Sequence, residues 1–232
     1  MSTERAQQVR TMFGRIVPRY DRLNRLMSLG MDGRWRRLAA AAARPSDACA
    51  LDVGTGTGDL ARELRRQGAA RVVGVDFSSQ MLVAARTKAL ASGDRLPWAM
   101  ADALRLPFPV ETFDCVTNAF LLRNLADLQA GLAEMGRVLK PGGRVVCLDM
   151  TQPPRGPFGA LYRLYFNRLL PPLAGRLSGD PDAYRYLPNS LQGFPDATAM
   201  SSLMEDVGLT QVSVRKLGGG AVALHVGLKS TA

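Results

Sequence analysis

Apolar and polar positions fall into blocks along this chain, and from residue 48 onward the blocks read as strand, helix, strand, helix. Ala48 to Val53 is short and apolar with a carboxylate, Asp52, near its end, as in a buried parallel strand that delivers a polar group to its carboxyl end. Asp59 to Gln67 sets Leu60, Ala61 and Leu64 on one face and Arg62, Glu63, Arg65 and Arg66 on the other, which predicts an amphipathic helix. Arg71 to Val75 is a second strand, ending in Asp76. Ser79 then caps a helix, Gln80 to Ser92, that packs Met81, Leu82, Ala85 and Leu90. Trp98 to Ala101 is a weak third strand and Phe113 to Asn118 a fourth. Leu128 to Leu139 is a helix, and Pro141-Gly142-Gly143 turns the chain into a fifth strand, Arg144 to Asp149. The rhythm predicts an α/β fold with a doubly wound, mostly parallel sheet.

The flanks break this rhythm. Glu4 to Val17, Tyr20 to Leu29 and Met31 to Ala43 read as three helical runs, the first closed by Pro18 and the second ended by Gly30. They make residues 1–47 an N-terminal cap on the core of residues 48–150. Residues 151–195 are proline-rich around an amphipathic piece, Phe158 to Leu170, and an insertion after the fifth strand lies over the carboxyl ends of the strands, as a lid would. Residues 196–232 supply a helix, Asp196 to Val207, and two antiparallel strands, Thr210 to Leu217 and Ala221 to Leu228, joined through Gly218-Gly219-Gly220. The expectation is one domain, residues 1–232, with a seven-stranded sheet.

Candidate chemistry gathers at the end of the first strand. Gly54, Gly56 and Gly58 alternate with Thr55 and Thr57, so the backbone can turn sharply and come close to a ligand over a helix N-terminus. This spacing differs from the Gly-x-Gly-x-x-Gly of dinucleotide sites, and no Lys-Ser/Thr pair follows for phosphate. Asp76 ends the second strand, where an acid accepts from ribose hydroxyls, and Asp102-Ala103 follows the third, where an acid accepts from an adenine amino group. Three strand-end acids with a glycine loop suit S-adenosylmethionine better than NAD.

Composition changes the picture little. Lys and Arg total 30 against 20 Asp and Glu, a formal charge of +10, which favours anionic surfaces. Nucleic acid is not expected as a partner: the arginines are spread through helices, only 6% of residues are aromatic, and the two types are not interleaved. Cys49, Cys115 and Cys147 lack metal spacing and sit in or beside apolar strands, so they read as buried thiols of a reducing cytoplasm, and no metal site is expected. The polar N-terminus and the lack of a run of roughly 18 apolar residues point to a cytoplasmic protein, at most peripheral at the inner face of the membrane.

Several segments carry a family resemblance. Val17-Pro18-Arg19-Tyr20-Asp21-Arg22-Leu23-Asn24, Leu26-Met27-Ser28-Leu29-Gly30 and Trp35-Arg36-Arg37 resemble the N-terminal signature of the UbiE/MenG/Coq5 quinone C-methyltransferases. The likeness continues through Gly56-Thr57-Gly58-Asp59, Leu122-Arg123-Asn124, Val138-Leu139-Lys140-Pro141-Gly142-Gly143, Asp182-Ala183-Tyr184-Arg185-Tyr186-Leu187 and Val222-Ala223-Leu224-His225. It implies a class I (Rossmann-like) S-adenosylmethionine-dependent methyltransferase that methylates a ring carbon of a prenylated quinol. By position it puts cofactor contacts on Thr57, Asp76, Asp102 and Ala103, with Ala119 where many relatives have Ser. Leu121 stands where relatives usually have Gly, and Asp149 where Glu is commoner. With the glycine loop and Asp52, these form the expected cofactor site.

Ring methylation needs a hydroxyl that ionises, because the phenolate feeds electron density to the neighbouring carbons. His225, the one histidine, is a candidate base or a structural residue. Arg123 and Asn124 follow the fourth strand; Arg123 is placed to stabilise a phenolate or to orient a water. Tyr184 joins them as a catalytic candidate, and Tyr20, Asp21 and Tyr186 are candidates for the ring pocket. The Phe158 to Leu173 stretch reads as an internal lid or as an interfacial helix that meets a bilayer-borne substrate. The choice between naphthoquinol and benzoquinol stays open, as does a homodimer. So do a different small-molecule acceptor and a non-catalytic scaffold that binds the cofactor.

Overall fold

The structure is a computed structural model and describes residues 17, 20–152, 159, 164, 168, 191 and 193–231. Helices α1 (Tyr20–Met27) and α2 (Asp32–Ala42) precede the alternating core: β1 (Cys49–Val53), α3 (Asp59–Arg66), β2 (Arg71–Asp76), α4 (Ser79–Ala91), β3 (Trp98–Met100), β4 (Phe113–Ala119), α5 (Leu128–Val138) and β5 (Leu139–Met150). Helix α6 (Ala197–Asp206), β6 (Leu209–Leu217) and β7 (Val222–Lys229) complete it. The strands form one seven-stranded sheet in the order β3-β2-β1-β4-β5-β7-β6. Strands β1 to β5 pair in parallel, whereas β7 lies antiparallel between β5 and β6. The order reverses at β1, so the carboxyl ends of β1 and β4 diverge and open a crevice there.

Both faces of the sheet are covered, which is why its central strands are apolar at consecutive positions. Leu51, Val53, Val116, Val145 and Cys147 pack with Leu132, Met135, Met200 and Met204 of α5 and α6. The alternate residues Ala50, Cys115, Val146 and Leu148 pack with Trp35, Ala39, Leu60 and Leu64 of α2 and α3. The period of two along each strand thus divides the core into two layers.

Most expected elements are present, with local differences at their ends and faces. Ser78 rather than Ser79 caps α4, its Oγ accepting from the Met81 N–H at 3.4 Å. In the same helix Ala89 is buried and Leu90 is 55% exposed, because apolar residues occur around the whole circumference and periodicity cannot select the inner face. Strand β3 stops at Met100. Strand β5 starts at Leu139, so Pro141-Gly142-Gly143 lies inside it, where the β4 register shifts between Phe113 and Cys115. The expected helix Glu4 to Val17 (apart from Val17), nearly all of the lid at residues 151–195, and Tyr184 and Tyr186 lie outside the described residues.

Candidate active site

Gly54, Gly56 and Gly58 all have left-handed backbone (φ 64°, 55° and 81°), a conformation that side chains with a Cβ rarely adopt. The loop is anchored from beneath. Thr55 donates its N–H to the Val75 carbonyl at 2.9 Å and its hydroxyl to Asp52 at 2.6 Å, while Thr117 donates to the other Asp52 oxygen at 3.0 Å. The parallel register places Thr117 of β4 beside Asp52 of β1, which makes that last bond possible. Burial pushes the Asp52 carboxyl up to about 6, against the two hydroxyl bonds and the more distant Arg36. Asp52, expected at the cofactor site, braces the loop from below and lines a small cavity with Gly54, Gly56 and Thr57 rather than the larger cleft. Gly58 likewise serves packing, since a Cβ there would stand 2.7 Å from the Trp98 ring.

Above the loop opens a cleft of about 200 Å³. Gly54, Gly56, Asp76, Asp102, Ala103 and Ala119 line it together, so most of the expected cofactor residues meet there. Asp76 accepts from the N–H groups of Gly56 and Ser78, each at 2.8 Å. Burial raises its pKa while these backbone bonds oppose the rise. The Phe77 N–H also favours the carboxylate, and since a carboxylate offers about four acceptor positions, acceptor capacity remains for a ligand hydroxyl. Asp102 is exposed at the rim and accepts from the Leu104 N–H at 2.9 Å.

The far wall is Ala119, Phe120 and Leu121. Phe120, which the sequence reading did not single out, has φ 62°, a strained conformation for a bulky residue. Its carbonyl accepts from Arg123 Nη1 at 3.0 Å and from Asn124 Nδ2 at 3.1 Å, and its N–H donates to the Leu148 carbonyl at 2.7 Å. Its ring lies near two guanidinium groups, 5.3 Å from that of Arg36 and 5.7 Å from that of Arg123. No sequence pattern signals a positive φ at a phenylalanine. Leu121 reaches over Gly54, whose Cβ would fall 2.6 Å from its Cδ1, and the cleft, at about 200 Å³, is smaller than the usual ~300–1,000 Å³ of small-molecule sites.

The remaining candidates divide. Tyr20 and Asn124 line the cleft. Arg123 sits just behind it, paired with Asp149. Thr57 and Asp21 are bonded to each other, Thr57 Oγ1 to Asp21 Oδ1 at 2.7 Å, at the base of α1. His225 is not among the cleft residues. It is buried on β7, its Nε2 2.8 Å from the Ala197 carbonyl, and it lines a separate cavity of about 10 Å³ with Asp149 and Thr151. Burial lowers its pKa, partly offset by that bond and by Asp149, so the ring is held neutral. Among the described residues no group of three His, Cys, Asp or Glu is placed to hold a metal ion, and no helix is long and apolar enough to cross a membrane.

Known proteins resemble this chain in sequence and in fold. Residues 1–229 match the model of the ubiE/COQ5 methyltransferase family. The chain is 50% identical to the demethylmenaquinone methyltransferase of a Thermus thermophilus strain, over 93% of this chain and 99% of that protein. It is 44% identical to the ubiquinone/menaquinone biosynthesis C-methyltransferase UbiE of Geobacter sulfurreducens, over 98% and 90% of the two chains. Among solved structures it resembles a SAM-dependent methyltransferase of Thermotoga maritima, with a TM-score of 0.69 over 95% of this chain and 99% of that one. Identity there is 19%, so the likeness speaks for the class I methyltransferase fold alone.

Proposed function

From a chain that belongs to the ubiE/COQ5 methyltransferase family, we propose a specific reaction: transfer of a methyl group from S-adenosylmethionine to a ring carbon of demethylmenaquinol, giving menaquinol. The chain is an S-adenosylmethionine-dependent C-methyltransferase of quinone biosynthesis. The structural observation that carries this reading is the meeting, in one cleft, of the left-handed glycine loop, Asp76 with spare acceptor positions, and a wall set by Phe120 and Asn124. A second reading, methylation of the methoxybenzoquinol of ubiquinone synthesis as well, is favoured by the name of the Geobacter relative.

These residues fit the cofactor. Gly54 and Gly56 lack the Cβ that would fill the floor, Asp76 would accept from ribose hydroxyls, and Asp102 and Ala103 would meet the adenine edge. When bound, the cofactor supplies an electrophilic methyl carried on sulfur. The protein's own task is to favour the phenolate of a hydroxyl whose pKa is near 10 and to hold the ring carbon in line. Asn124 lies in the cleft, and Arg123 stands behind it with a guanidinium already oriented by Asp149; we assign them the quinol oxygen. Tyr20 and Phe120 supply the apolar sides of the ring pocket.

A prenylated quinol resides in a bilayer, so the enzyme meets it at the cytoplasmic membrane surface, and the charge of +10 supports contact with anionic headgroups. The reading is tested by supplying labelled S-adenosylmethionine with a reduced short-tail demethylnaphthoquinol. Label in the ring supports it; cofactor binding with no label transferred contradicts it.

A further inference from the structure

We infer that Lys88 is a positioning residue of the cofactor site, the clasp that holds helix α1, and Tyr20 with it, over the glycine loop. The inference rests on the reading of that loop as the cofactor floor. Lys88 projects from α4 and its ammonium donates to three acceptors on three other segments: Asp59 Oδ1 at the start of α3 at 2.6 Å, Asp21 Oδ2 on α1 at 2.8 Å, and Thr57 Oγ1 in the loop at 3.2 Å. An ammonium has three donors, so all are used. Thr57 gives its own hydrogen to Asp21 Oδ1 at 2.7 Å, which joins loop and helix a second time.

The consequence reaches the cleft through one peptide unit. Tyr20 precedes Asp21, and its ring carbon Cε1 stands 3.8 Å from where a Cβ on Gly56 would be. It lines both the cleft and a smaller cavity beside Thr57 and Asp52. Fixing Asp21 therefore fixes Tyr20 above the loop. Lys88 also offsets two carboxylates that would otherwise repel each other and any anionic group of a ligand lying there. Its side chain is 29% exposed and that of Asp21 43%, so either ion pair alone is weak; the effect comes from three shared bonds that join separate segments.

The test compares wild type, Lys88→Met, Lys88→Arg, Asp21→Asn and the Lys88→Met/Asp21→Asn double variant, by calorimetric titration with S-adenosylmethionine and by amide hydrogen exchange. Loss of charged hydrogen bonds is expected to weaken the cofactor about tenfold in Lys88→Met. Lys88→Arg stays closer to wild type, and the double variant is no weaker than the worse single one. Exchange speeds up in residues 20–27 of Lys88→Met while β1 and β4 stay protected. Wild-type affinity in Lys88→Met, additive losses in the double variant, or uniform loss of protection across the core would each overturn the inference. If wild type itself fails to bind S-adenosylmethionine, the cofactor reading falls and this one with it, a result distinct from failure in the variants alone.

Discussion

Arg123 donates from Nη1 to Asp149 Oδ1 at 2.5 Å, with the two side chains only 8% and 6% exposed. The carboxyl end of β5 thus holds a cation directly behind the wall of the cleft. Asp149→Asn leaves a buried guanidinium without its counter-charge, at a cost of about 3–5 kcal/mol. A lower urea midpoint should accompany a fall in kcat, with S-adenosylmethionine affinity retained because Asp76 and the glycine loop are untouched. Equal loss of kcat and cofactor binding would place Asp149 elsewhere in the chemistry.

Asp52 makes stability depend on pH in the unusual direction. Its carboxyl, raised by burial to about 6 from 3.8, keeps its proton in the folded chain over a range where the unfolded chain has released it. Stability present below about 3.8 is therefore lost as pH rises to about 6, by roughly 3 kcal/mol. Asp52→Asn should remove this component. The check is the difference in unfolding free energy between wild type and variant, measured from pH 4 to 7: the wild type should lose ground relative to the variant as pH increases.

Two loop glycines should fail differently. A methyl at Gly58 falls 2.7 Å from the Trp98 ring and 3.2 Å from Ala85, so Gly58→Ala should destabilise the whole fold. At Gly56 the nearest atom is Tyr20 Cε1 at 3.8 Å, an ordinary contact, although the left-handed backbone still costs about 1–2 kcal/mol. Gly56→Ala should retain a cooperative melt and lose cofactor affinity, since its methyl projects into the space between the loop and Tyr20. Parallel melting curves and calorimetry distinguish the two.

Thiol chemistry offers a simple test of the core. Burial pushes Cys115 and Cys147 up to about 12, so neither forms thiolate near neutral pH, while half-buried Cys49 is raised less severely. Iodoacetamide at pH 8 should modify Cys49 alone, and slowly, in the native protein. Peptide mapping that finds Cys147 labelled before unfolding would contradict the packing of β5.

The alternation of elements was legible because each buried strand is a short apolar run and the main helices, α4 apart, have one apolar face. Helix α4 misled at Leu90 because its apolar residues occur on every side and no single face stands out. The site was legible as far as strand ends are: Asp76, Asp102 and Ala103 meet in the cleft as their positions imply. The brace that Asp52 forms with Thr117 was not legible, since it depends on the register of a neighbouring strand, invisible in the local pattern. Lys88 was not singled out, because its partner Asp21 lies 67 residues away in the sequence. Phe120 was missed for a similar reason, its strain being offset by bonds to Arg123, Asn124 and Leu148 only once the fold exists.

The most direct measurement offers reduced short-tail demethylnaphthoquinol and the matching methoxybenzoquinol side by side, with labelled S-adenosylmethionine, and follows label into each ring. The expected result is ring methylation of the naphthoquinol, abolished in Asp76→Ala through loss of cofactor binding and sharply slowed in Arg123→Met with binding retained. Clear binding of S-adenosylmethionine with neither quinol methylated would contradict the assignment.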